Sequence, residues 1–115
     1  MAELPQPFKR FRDQNPAVVT AYEALGEACA RAGPLDPKTR ELVKLALAIG
    51  ARLEGAVHSH ARRALEAGVT AEEIRHVVAL APPTLGLPTT IAVSTWVEDI
   101  LAPKGKGTAS RRRGR

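Results

Sequence analysis

Cysteine is nearly absent. Cys29 is the only one in 115 residues, which excludes an intramolecular disulfide and any C-x-x-C redox or metal site. Aromatic residues make up 3% of the chain, too few for recognising single-stranded nucleic acid by base stacking. No apolar run approaches the roughly 20 residues that a membrane-spanning helix requires. The residues before Pro16 are polar and proline-bearing, unlike a secretory signal. These absences point to a cytoplasmic protein with no membrane partner. Acid is missing from one stretch in particular: residues 104–115 carry Lys104, Lys106, Arg111, Arg112, Arg113 and Arg115 and neither Asp nor Glu. The whole chain has 17 basic and 12 acidic residues, a formal charge of +5. Without the tail's six cations, 11 basic residues face 12 acids, so residues 1–103 carry −1. The basicity belongs to a tail expected to stay disordered, whose contact with nucleic acid would be weak and non-specific.

What is present is helical patterning. Asn15-Pro16 reads as a cap followed by proline at the first helical position. Val18, Val19, Tyr22, Leu25, Cys29 and Ala32 then recur at helical spacing until Gly33-Pro34. Asp36-Pro37 repeats the start signal, and the run behind it sets Leu42, Leu45, Ala46, Ile49 and Leu53 on one face. Residues 54–67 form a third helix closed by Gly68. Thr70 and Glu73 make a capping box for a fourth helix carrying Ile74, Val77, Val78 and Ala81. Pro82-Pro83 and Gly86 interrupt it, and Pro88 opens a last helix that ends at Pro103. No β-branched alternation occurs, so the class is all-α. The chain divides into an N-terminal arm (1–14), whose Phe8 and Phe11 could dock on the body or a partner, a helical domain (15–103) and the basic tail (104–115). About 90 residues of short amphipathic helices make a thin core. Apolar faces on both sides of the second and third helices therefore predict homo-oligomerisation.

Reactive side chains concentrate between residues 41 and 60. At about 100° per residue, His60 falls within the stripe of Leu53, Val57, Ala61 and Ala64. It is expected to be buried or half-buried, with its ring nitrogens in need of partners. Glu41 lies at the edge of the preceding helix's stripe, in line with Leu45, Ala48 and Arg52. Facing His60, it would raise the imidazole pKa and fix its tautomer, making a general acid/base pair. The plainer readings are a satisfied core histidine and a first-turn acid favoured by the helix dipole. His58 lies about 160° around the helix from His60, so the H-x-H string cannot hold a metal from one helical face, and no metal site is expected. Glu54 and His58 form an i,i+4 surface pair. His76 is expected to be solvated, Cys29 to be a small buried hydrophobe, and Trp96 to lie in the core or an interface.

Residues 35–92, LDPKTRELVKLALAIGARLEGAVHSHARRALEAGVTAEEIRHVVALAPPTLGLPTTIA, carry a recognisable pattern. Its marks are the LDPKTREL start, the H-x-x-x-AL-x-x-G-x-T-x-x-EI block from His60 to Ile74, and the later G-x-P at Gly86 to Pro88. The string resembles the carboxymuconolactone decarboxylase family, which includes the AhpD-like alkylhydroperoxidases. The resemblance implies an AhpD-like helical domain of five to six helices around a central antiparallel helix pair. It also implies homo-oligomers, commonly trimers or hexamers. In the peroxidase branch the site is spaced E-x11-C-x-x-C-x-x-x-H. With the family His on His60, the Glu is Glu41, but the two cysteines fall on Leu53 and Ala56. Thiolate attack and disulfide formation then have no nucleophile. The decarboxylase branch needs neither thiol nor cofactor and acts on a small carboxylate-bearing lactone. Arg40 and Arg52 are cations for a substrate carboxylate, with His58 as a further binding residue beside catalytic His60 and Glu41. The chain departs from that branch at Ala56, where a polar residue is expected, and at Pro82-Pro83-Thr84-Leu85, where a Tyr is expected. Three readings follow: a cofactor-free enzyme or binder of a small carboxylate or lactone, a non-catalytic oligomeric scaffold, and a nucleic-acid contact through the tail.

Overall fold

Proline and capping side chains set most helix starts. A computed structural model describes residues 4–103, and the basic tail lies outside the described residues. Seven helical segments follow one another: α1 (Gln6–Gln14), α2 (Pro16–Ala30), α3 (Pro37–Gly50), α4 (Glu54–Glu66), α5 (Ala71–Ala79), α6 (Pro82–Leu85) and α7 (Leu87–Leu101). No strand occurs among the described residues. The all-α expectation holds, with two more segments than the five read along the sequence. One is α6, a single turn that Pro82 starts and Gly86 ends at φ 89°. The other is α1, within the segment read as an arm. Its prolines sit at the N-cap and in the first turn, where a missing N–H breaks no helical bond.

The described chain forms two compact units, divided between Leu35 and Asp36. The first holds α1 and α2, which pack on one another. Two helices are too little chain to cover the apolar stripe of α2, so Val18, Tyr22 and Leu25 are exposed. Cys29 is exposed as well, contrary to its reading as a buried hydrophobe. The Asn15 cap also differs from expectation. Its side chain makes no cap bond but donates through Nδ2 to the Phe11 carbonyl at 3.2 Å, an acceptor that exists because α1 precedes it.

The second unit holds α3 to α7 around one core. Asp36 caps α3 by accepting from the Thr39 N–H at 2.9 Å. The Thr70–Glu73 capping box forms on α5 with both bonds in place. A three-residue turn returns the chain from α3 into α4, making the antiparallel pair, and α4 packs on α7 along its other side. Leu45, Val57, Ile74, Val93 and Val97 are the largest fully buried side chains. Ala61 and Ala64 are also fully buried on α4, and such small side chains let neighbouring helices approach closely. Trp96 lies half-buried against this core. Leu53 is not in it. α3 ends at Gly50, the turn redirects the backbone, and Leu53 becomes the exposed N-cap of α4. Ala46, read on the same stripe, is exposed too.

Candidate functional site

Helix α4 carries two half-buried histidines, and each meets a carboxylate from a different flanking helix. His60 turns to α3, where its Nδ1 lies 3.4 Å from Glu41 Oε1. Their side chains are 17% and 18% exposed, so the pair sits in a partly dehydrated seam. His58 turns to α7, where its Nε2 lies 3.0 Å from Asp99 Oδ2. The separation of nearly half a turn between positions 58 and 60 divides the two rings between two neighbours. The H-x-H string therefore gives two separate His–carboxylate pairs.

Electrostatics at His60 differ from the sequence-based expectation. Burial disfavours the charged ring and holds its pKa below the ordinary 6.5. The bond to Glu41 and its charge push upward, while Lys44 and Arg63 add to the lowering. Dehydration wins, so the imidazole stays neutral where the carboxylate alone would have favoured imidazolium. A carboxylate accepts hydrogen bonds, so Nδ1–H donates to Glu41, and the ring's second nitrogen, Nε2, carries the lone pair. This tautomer can accept a proton at Nε2, with Glu41 stabilising the imidazolium that forms.

Arg52 occupies the turn between the paired helices with φ 57°, the only non-glycine residue at positive φ among those described. Its Nη1–H donates to Thr89 Oγ1 at 2.7 Å, which ties the turn to the start of α7. The guanidinium read as a substrate cation thus already holds a structural bond. Leu53 and Ala56, the positions that align with the family's two thiols, lie at the N-cap and in the first turn of α4. Leu53 is exposed and Ala56 is packed against the core. His76 is exposed, as expected. Sequence reasoning missed Asp99, Thr89 and the bidentate pair in which Arg75 donates to Glu98 at 2.8 and 2.9 Å. Nothing local to α7 distinguishes Asp99 from an ordinary surface acid.

Comparison with known proteins agrees with this architecture. The family model described as carboxymuconolactone decarboxylase family matches residues 16–99. An uncharacterized protein of Haemophilus influenzae is 40% identical over 63 residues, 55% of this chain and 56% of that protein. The matched part thus spans little more than half the length of that relative. The crystal structure of an apo-form carboxymuconolactone decarboxylase family protein from Legionella pneumophila superposes with a TM-score of 0.70 at 26% identity, covering 84% of this chain and 87% of that one. From the match over α2 to α7, the chain belongs to the carboxymuconolactone decarboxylase family.

Proposed function

We propose that this protein is a cofactor-free acid/base catalyst, or a binder, acting on a small carboxylate or lactone through His60 and Glu41. The observation that carries the reading is the half-buried contact of 3.4 Å between His60 Nδ1 and Glu41 Oε1 across the central helix pair. In it, His60 Nε2 takes a proton from carbon next to a carboxylate or lactone carbonyl and can return it to the substrate, or, having first taken one from water, gives it to the carbon from which CO2 has left. Glu41 holds the ring's tautomer and balances the transient positive charge. Lys44 and Arg63, close enough to depress the His60 pKa, favour an anionic ligand there. His58, turned to Asp99 on α7, and Arg52, bonded to Thr89, are engaged elsewhere and are not among its binding groups. Thiol-based peroxide reduction is not part of this function, because Leu53 and Ala56 stand at the family's cysteine positions.

The same reading includes a homo-oligomer, a trimer or hexamer as in the family. Leu47, Leu80 and Leu87 are each 60% exposed or more in the single chain, which favours burial by further subunits. It also includes a cytoplasmic location and weak nucleic-acid contact by the tail. No helix among the described residues is long and apolar enough to cross a membrane. The test is binding and turnover of lactone and carboxylate substrates by the wild type, His60→Ala and Glu41→Gln. Loss in both variants with the fold retained supports the pair. Equal behaviour of all three refutes it and leaves the scaffold reading.

A further inference from the structure

We propose that Glu54, His58 and Asp99 form a binding site for a divalent first-row transition ion, separate from the His60–Glu41 pair. Each of the three residues presents one ligand atom, and these atoms all lie within 4.8 Å of one another. Glu54 and His58 stand one turn apart at the start of α4, so their side chains share a face. Asp99 comes from α7, which packs along α4. Two helices therefore converge three donors on one point.

The i,i+4 pair of Glu54 with His58 and the contact of His58 with Asp99 share one imidazole, so two carboxylates converge on a single ring. A second carboxylate beside the first is repelled by it, and a divalent cation between them turns that repulsion into attraction. One of the distances already suits such an ion, and the Glu54 oxygen, within 4.8 Å of the other two donors, would move in to complete the set. With bonds of about 2.0–2.2 Å to imidazole nitrogen and carboxylate oxygen, two ligands at right angles stand about 2.9 Å apart, and tetrahedral ligands about 3.4 Å. His58 Nε2 and Asp99 Oδ2, at 3.0 Å, already have this spacing. Glu54 is exposed and free to swing inward. A neutral imidazole with two carboxylates carries two negative charges, which a divalent ion neutralises. The nitrogen donor favours zinc, cobalt or another transition ion over calcium or magnesium, which take oxygen ligands. Three protein ligands leave coordination positions for water or for a carboxylate ligand.

The experiment uses the untagged full chain, with Zn2+ in competition against a chromophoric chelator and Co2+ as a spectroscopic probe. One Zn2+ per chain is expected, with a cobalt spectrum showing nitrogen and oxygen ligation and a Tm raised by Zn2+. His58→Ala and Asp99→Asn should each weaken binding by more than roughly ten-fold, a loss that changes outside the ligand shell can already reach. Glu54→Gln should weaken it less. His60→Ala and His76→Ala should bind as the wild type does, so failure of the acid/base reading leaves this result untouched. Circular dichroism reports folding, and if His58→Ala does not fold, the conservative Asp99→Asn and Glu54→Gln decide. Absence of stoichiometric binding by the wild type overturns the proposal. So does unchanged affinity in whichever of the three ligand variants fold.

Discussion

Arg52→Gly is expected to be more stable than Arg52→Ala, and the reason lies in a motif that the chain uses twice. At the end of α3 the Leu53 N–H donates to the Ala48 carbonyl at 3.1 Å, and the Arg52 N–H to Ile49 at 3.0 Å. At the end of α4 the Val69 N–H donates to Ala64 at 2.9 Å, and the Gly68 N–H to Leu65 at 3.1 Å. Both are Schellman ends, whose turning residue must be left-handed. Gly68 adopts φ 98° without a Cβ, whereas Arg52 adopts φ 57° with one. That conformation costs an L-residue roughly 1–2 kcal/mol. Glycine escapes this strain but loses about 0.4–1 kcal/mol through the greater freedom of its unfolded chain. Both variants forfeit the bond to Thr89, about 0.5–1.5 kcal/mol and at the lower end for an exposed pair. Arg52→Ala should therefore lose about 0.5 kcal/mol, and Arg52→Gly should recover about 0.5–1 kcal/mol relative to that variant. For a domain of this size that recovery is a few degrees in Tm, measurable by thermal or urea unfolding. Thr89→Val removes the same bond from the other side and should match Arg52→Ala. Gly68→Ala, whose added methyl meets only Lys38 Cδ at 3.8 Å, should lose about 1 kcal/mol through backbone strain alone. An Arg52→Ala variant as stable as Arg52→Gly, or more so, would refute the reasoning.

Leu45 is fully buried, and Leu45→Ala should cost about 3 kcal/mol by urea unfolding; a loss below 1 kcal/mol would mean that the α3–α4 seam collapses around the gap. For His60, an NMR titration should give a pKa below 6.5 in the wild type and lower still in Glu41→Gln, because Glu41 pushes it upward against burial. A rise in that variant would show that Glu41 does not act on the ring. Glu98 is held below its ordinary 4.5, chiefly by its bond to Arg75. A depressed acid stabilises the fold above its unfolded pKa and loses that contribution as pH falls through the folded value. The stability gap between wild type and Arg75→Ala should therefore be full at neutral pH and shrink as pH falls below 4.5. A gap independent of pH would contradict the pair.

The helix ends were legible wherever one short segment supplies both partners. Asp36-Pro37, Thr70 with Glu73, and Gly68 all behave as read, since each closes over a few neighbouring residues. Asn15-Pro16 starts α2 as read, but the Asn15 side chain does not cap it, because it found the Phe11 carbonyl of a helix that proline-bearing residues had disguised as an arm. Cys29 and Leu53 failed for a different reason. Periodicity assigns a side chain to a helix face, but it does not say whether that face is covered or where a turn takes over.

The residues of the candidate site were visible as residue types at helical spacing, and His60 with Glu41 was inferred from their stripes. The other pairings were not. His58 meets Asp99 across 41 positions, Arg52 meets Thr89 across 37, and Arg75 meets Glu98 across 23. By itself the sequence determined the helical class, the capped starts, the near-neutral charge of residues 1–103 and the loss of the family's thiols, all properties of local pattern or composition. Only the tertiary structure decided which helix lies beside each face of α4, and so which carboxylate each histidine receives. Helical periodicity fixes the direction in which a side chain leaves its helix. What it meets there depends on how buried leucine, valine and alanine side chains pack the helices together.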